Sequence, residues 1–284
     1  MKLNRLLFSF ACFLSLFLGA STHAQTISSD SLQSVIKQIQ RGENDSIRFR
    51  NNRIFSQLLE DSLRKPESFN ADFSSWKNLS VVSDPEHTIR IYTWTFPNYA
   101  GSQYFYNGYI QLKTSTPDSL IMINLADSTS KILKPESEKL RADKWLGAIY
   151  YSLGKTKRSG VTYYTLLGWK GVNESMTKKV IEVMAIEDGK VKFGFPILKT
   201  GSVFRNRVIF TFTSQASMTL RFEKDGKEIV FDHISNPKKG DSPNLNLLSG
   251  PDGTYDKFKQ KGGRWVIQHD IDARTDWEAK EPKE

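Results

Sequence analysis

The chain has one cysteine and four histidines in 284 residues, and no apolar run long enough to span a membrane. Each scarcity excludes some chemistry. The cysteine, Cys12, falls in the N-terminal apolar segment, so a chain cleaved behind that segment carries no disulfide and no thiol nucleophile. Beyond residue 24 the histidines are His87, His233 and His269, and none has the spacing of a His-Glu-x-x-His zinc hydrolase. There is no Gly-x-Ser-x-Gly elbow and no phosphate-binding loop. The apolar run from Leu6 to Leu18 has 13 residues, where a spanning helix needs roughly 20.

The N-terminus instead carries Lys2 and Arg5, that short run, and small residues at Thr22 and Ala24. This is the pattern of a secretory signal cleaved after Ala24. An exported chain without disulfides suits a bacterial envelope, in the periplasm or associated with the outer membrane. Loss of Lys2 and Arg5 lowers the formal charge of +9 by two, and no dense basic run remains. Such a surface suits acidic glycans, envelope proteins or peripheral association with anionic headgroups. Nothing in the sequence points to nucleic acid.

Three regions follow the signal at 1–24. Apolar residues Leu32, Val35, Ile36 and Ile39, then Ile54, Phe55, Leu58 and Leu59, recur at helical spacing. They predict two helices in a segment over 25–66, broken between Gly42 and Ser46, with N-cap candidates at Ser28, Ser29 and Asp30. Residues 67–274 then read as one all-β domain, with a further helix considered only over Pro135 to Ala142. A polar tail, 275–284, closes the chain.

The hairpins can be set by register. A two-residue turn at Asp225-Gly226 places Leu220 opposite Phe231 and Phe222 opposite Ile229. One at Asp188-Gly189 places Met184 opposite Phe193 and Ile186 opposite Val191, and one at Gly262-Gly263 places Phe258 opposite Ile267 and Gln260 opposite Trp265. Asn107-Gly108 is read as a bulge within one strand, and Pro251 to Thr254 as the turn entering the last hairpin. Roughly a dozen short strands follow from such signals, too many for a seven-stranded sandwich. The expected fold is mainly β, an antiparallel meander, propeller-like or a large barrel or double sheet, behind an N-terminal helical segment. A partial echo between residues 84–94 and 250–265 suggests a repeated unit.

The stretches "RIYTW" (90–94), "KWLGAIYY" (144–151), "TYYTLLGW" (162–169), "RVIF" (207–210), "ASMTLRF" (216–222), "IVFDH" (229–233), "GPDGTYDKF" (250–258) and "DIDAR" (270–274) occur in that order. The chain resembles, over roughly residues 57 to 274, a family of exported proteins from Bacteroidetes-type bacteria. The resemblance implies export and common descent, and it carries no assigned activity.

The last hairpin also sets Asp256 opposite His269, half of a general-base arrangement or a single charge-assisted pair. With Asp270 and Asp272 these are the candidate catalytic residues. No metal site and no cofactor is expected, because calcium needs more oxygen ligands than this cluster supplies. Lys199-Thr200-Gly201 and seven Ser-x-x-Lys matches echo penicillin-binding enzymes, but copies such as Ser152 with Lys155 read as turns rather than as a buried helix. Glycoside hydrolysis needs two carboxylates, for which Asp232 with Asp256 and Asp270 with Asp272 are candidates. Among the aromatic residues, Trp94, Tyr151, Tyr164 and Trp169 are candidates for an exposed binding face. The expected function is a non-catalytic envelope module that binds a protein or glycan, the alternative being a carboxylate-dependent hydrolase of glycan or peptidoglycan.

Overall fold

The computed structural model describes residues 29–116, 119–235 and 249–271. The signal at 1–24, the capping atoms at Ser28 to Asp30, Asp272 and the tail 275–284 lie outside the described residues or side chains.

The protein is mainly β, with two α-helices ahead of sixteen strands among the described residues. Helix α1, Ser29–Arg41, and helix α2, Asp45–Leu63, are separated where the sequence predicts. Extended Asn44 caps α2, its Oδ1 accepting the Ile47 N–H at 3.0 Å. Both helices pack on an antiparallel meander of β1 (Ser80–Ser83), β2 (Ile89–Pro97), β3 (Tyr104–Lys113) and β4 (Leu120–Ala126).

Strand β2 shows why the apolar pattern is nearly continuous here. Tyr92, Trp94 and Phe96 point to the helices, where they meet Ile39, Phe55 and Leu59. Ile89 and Ile91 point to the opposite face and a second core. Period-2 alternation puts neighbours on opposite faces, so a strand covered on both sides must be apolar at almost every position.

The second sheet has the order β5-β9-β8-β7-β6, from Leu140–Arg141, Lys190–Phe193, Met176–Glu187, Val161–Gly171 and Ile149–Arg158. Strand β12, Arg207–Thr213, pairs along β8 beyond the reach of β9. Leu166 and Val180 bury against the first sheet, while Leu167 and Ile181 bury against the third. That third sheet has the order β11-β10-β16-β15-β14-β13, from Val203–Arg205, Leu198–Thr200, Arg264–Ile271, Gly250–Lys261, Glu228–Ser235 and Leu220–Glu223. All described strand pairings are antiparallel except β10 with β16, and an isolated bridge of Asp127 with Trp145 is also parallel. Among the described residues the result is a stack of one helical layer and three sheets with three cores between them, and no sheet closes into a barrel.

The three hairpin registers agree with the sequence reading, residue for residue. Other expectations change. Residues 135–142 form no helix. The segment turns into β5, and its Pro135 and Glu138 carbonyls accept from the Arg207 guanidinium. Gly108 lies in an unbroken ladder, opposite Thr93 on one side and Leu125 on the other, so there is no bulge. A side chain there would place Cβ 2.9 Å from the Tyr92 carbonyl oxygen, and this close approach of backbones explains the glycine. Pro251 to Thr254 is part of β15 rather than a turn. Its echo, residues 84–87, joins β1 to β2, so the two stretches are not copies of one unit.

Candidate functional site

The third sheet brings together the one candidate pair that register alone identified, and adds a third residue to it. Asp256 sits in the central strand β15 and is only 3% exposed. Its neighbours Phe231 on β14 and Phe258 on β15 lie on the same inward face and pack in the core. The ladder is irregular on both sides of this residue. Between β14 and β15 the register shifts after Asp232, and between β15 and β16 it shifts after Tyr255. Bulges re-aim side chains. Here they leave His233 on one flank and His269 on the other, both turned to Asp256.

The resulting geometry is symmetrical. Nδ1 of His233 and Nδ1 of His269 each lie 3.0 Å from Oδ2 of Asp256. The other carboxylate oxygen, Oδ1, accepts the Asp270 N–H at 3.2 Å. Asp270 has φ of 53°, the left-handed conformation that Asp tolerates better than most residues, and this kink turns its N–H inward. The imidazoles are half in solvent, at 44% and 58% side-chain exposure. Nε2 of His233 lies 4.0 Å from Oδ2 of Asp252, and the Asp252 carboxylate is held by the Thr254 N–H and hydroxyl. These bonds to Thr254 hold Asp252 below the usual carboxylate range. The hydrogen bond to Asp256 raises the pKa of His233 against a smaller opposing effect of burial, with Asp252 and Asp270 adding attraction.

Sequence reasoning found Asp256 and His269 but placed His233 only in a count of histidines and at the end of the stretch "IVFDH". The missing link is the pairing of β14 with β15 across residues 236–248, which no two-residue turn announces. A signal was present in that "IVFDH" ends in a histidine just where the register shifts. Asp270 contributes its backbone rather than its carboxylate to Asp256, and Asp232 accepts the Thr219 N–H at 2.6 Å at the far edge of the sheet.

No family model, curated protein or solved structure matches the chain.

The four candidate binding aromatics do not form one face. Trp94 is 1% exposed and wedged between Phe55 and Tyr109, its indole N–H donating to Asn52. Tyr164 is buried in the separate core between the first and second sheets. Trp169 is partly covered and meets Tyr104 edge-on. Tyr151 is the most exposed of the four, but its hydroxyl donates to the Leu220 carbonyl and Lys179 lies over its ring, so it joins the second sheet to the third. The Ser152 and Lys155 pair lies on β6 rather than in a turn, and Lys155 is tied to Glu86 at 2.9 Å.

Two further features concern binding. Burial pushes the Lys170 amine down to about 8, yet Nζ donates to Thr129 Oγ1 and to the Leu146 and Gly147 carbonyls, each at 2.8 Å. These three bonds use all of its protons and make it a clip for that loop. The other feature is a groove of about 540 Å³ between α1 and residues 75–78. Lys37, Arg41 and Lys77 surround it, Gln33, Gln40 and Asn78 add neutral hydrogen-bonding groups, and the buried Ile36 and Trp76 form its floor. Lys37 and Arg41 are one helical turn apart, which sets both heads on the same side of α1. Among the described residues no carboxylate pairs with any of the three cations.

Proposed function

We propose that the protein is an exported, non-catalytic binding module of the bacterial envelope and that it binds an acidic glycan in the groove beside α1. The observation that carries this reading is the gathering around one concave, polar-lined space of three cations that have no carboxylate partner among the described residues. A groove of this size suits a few sugar units. A flat bilayer would meet the cations less well, since the groove they line is concave. The Asn78 amide would pair with sugar hydroxyls and the cations with carboxylates, giving attraction that weakens as salt rises.

The hydrolase alternative has less support. Of its candidate carboxylates, Asp256 is buried with both oxygens engaged, Asp232 accepts the Thr219 N–H, and the partner of Asp270, Asp272, lies outside the described residues.

The experiment is calorimetric titration with tetragalacturonate, using uncharged maltotetraose as control. The acidic sugar is expected to bind, and the triple variant Lys37→Gln/Arg41→Gln/Lys77→Gln to bind it at least tenfold more weakly. Equal binding of the two sugars, or equal affinity of the variant, would refute the reading.

A further inference from the structure

We propose that His233, Asp256 and His269 form a binding site for one divalent first-row transition-metal ion. This does not depend on the glycan reading, since it concerns the third sheet and not the groove.

The three ligand atoms lie within 4.8 Å of one another. An ion bound at about 2.1 Å sets adjacent ligand atoms about 3.0 to 3.4 Å apart, at octahedral or tetrahedral angles. Both Nδ1 atoms already stand 3.0 Å from Oδ2. Small rotations of three side chains would therefore open the site around an ion without moving any strand. The ligand set also selects the class of metal. Two imidazole nitrogens and one carboxylate oxygen suit zinc, cobalt, nickel or iron(II), whereas magnesium and calcium demand oxygen and copper(I) prefers sulfur.

A structural salt bridge accounts for less of what is seen. One imidazole is enough to satisfy a buried carboxylate. Here two approach the same oxygen from opposite strands, each delivered by a separate irregularity in the ladder. The surroundings continue the pattern of a metal site. Ligating histidines commonly give their second ring nitrogen to a carboxylate, which fixes the ring and raises its basicity. Asp252 stands 4.0 Å from Nε2 of His233 and is itself fixed by Thr254. The Asp270 N–H holds the remaining oxygen of Asp256. Three protein ligands leave coordination positions facing solvent, where water completes the shell.

The test uses tag-free protein, so that no added histidines bind metal. Zinc is titrated calorimetrically, and cobalt is titrated with its visible absorption as a readout of coordination geometry. The expected result is one zinc per chain, at least tenfold weaker binding in His233→Ala and in His269→Ala, and loss of the cobalt spectrum in the double variant. Both imidazoles are half-exposed, so these variants keep the fold, which far-ultraviolet dichroism checks. Zinc binding unchanged in the double variant, or no zinc bound by the unaltered protein at pH 7.5, would overturn the proposal.

Discussion

Nδ1 of His233 lies 3.0 Å from Oδ2 of Asp256, a contact between strands β14 and β15 that are joined through residues 236–248. The imidazole is partly exposed and the carboxylate is buried, so the pair sits where the core of the third sheet opens to solvent.

This contact makes stability depend on pH in a definite sense. The folded-state pKa of His233 is raised, so the pair's contribution is fully present below the unfolded value of about 6.5 and is lost as pH rises through the folded value. The groups facing it are Asp252, Asp256 and Asp270, and His269 on β16, which shares the Asp256 oxygen. Solvent screening limits the effect to about 0.5 to 1 kcal/mol. Urea unfolding of the unaltered protein and of His233→Gln is expected to differ more at pH 5.5 than at pH 8.5.

Metal affinity should move in the opposite direction. A metal must displace the proton from a cationic imidazole, so zinc binding is expected to weaken as pH falls through the raised pKa of His233. Calorimetry at pH 6 and pH 8 checks this, with tighter binding expected at pH 8.

Asp256→Leu removes the shared acceptor of two imidazoles and of the Asp270 N–H. The expected cost is about 1 kcal/mol, because one part-buried backbone donor loses its partner while the half-exposed rings can turn to water. In Asp256→Asn, where the shape is kept, the pKa of His233 is expected to fall back toward its ordinary value. Proton magnetic resonance of the imidazole reads that shift directly.

The second sheet holds a fully buried ion pair, Arg207 with Glu182, and Glu182 also accepts the Tyr150 hydroxyl at 2.5 Å. Removing one partner leaves an uncompensated buried charge. Arg207→Met is therefore expected to cost about 3 to 5 kcal/mol, and Arg207→Met/Glu182→Leu distinctly less than the sum of the single variants. Urea unfolding of the three variants checks this.

Gly108→Ala tests the close approach of β2 to β3. Its Cβ would lie 2.9 Å from the Tyr92 carbonyl oxygen and 3.1 Å from a methyl group of Leu125. A loss of about 1 to 3 kcal/mol is expected in thermal or urea unfolding, larger than for an exposed strand position.

The amino-acid sequence by itself determined the elements whose causes are local. Helical spacing and the break at Gly42 to Ser46 specify α1 and α2, and the turns at Asp188-Gly189, Asp225-Gly226 and Gly262-Gly263 each specify a register through the two residues they contain. The pairing of Asp256 with His269 followed from one such register. What only the tertiary structure decided is everything that joins distant segments: the parallel pairing of Leu198 with Trp265, the addition of β12 to β8, and the arrival of His233 beside Asp256. The physical reason is that a strand's alternation declares which residues are buried, but not which sheet buries them. Trp94 and Tyr164 carried the same aromatic signal as an exposed platform would, and the stacking of three sheets placed them in two different cores.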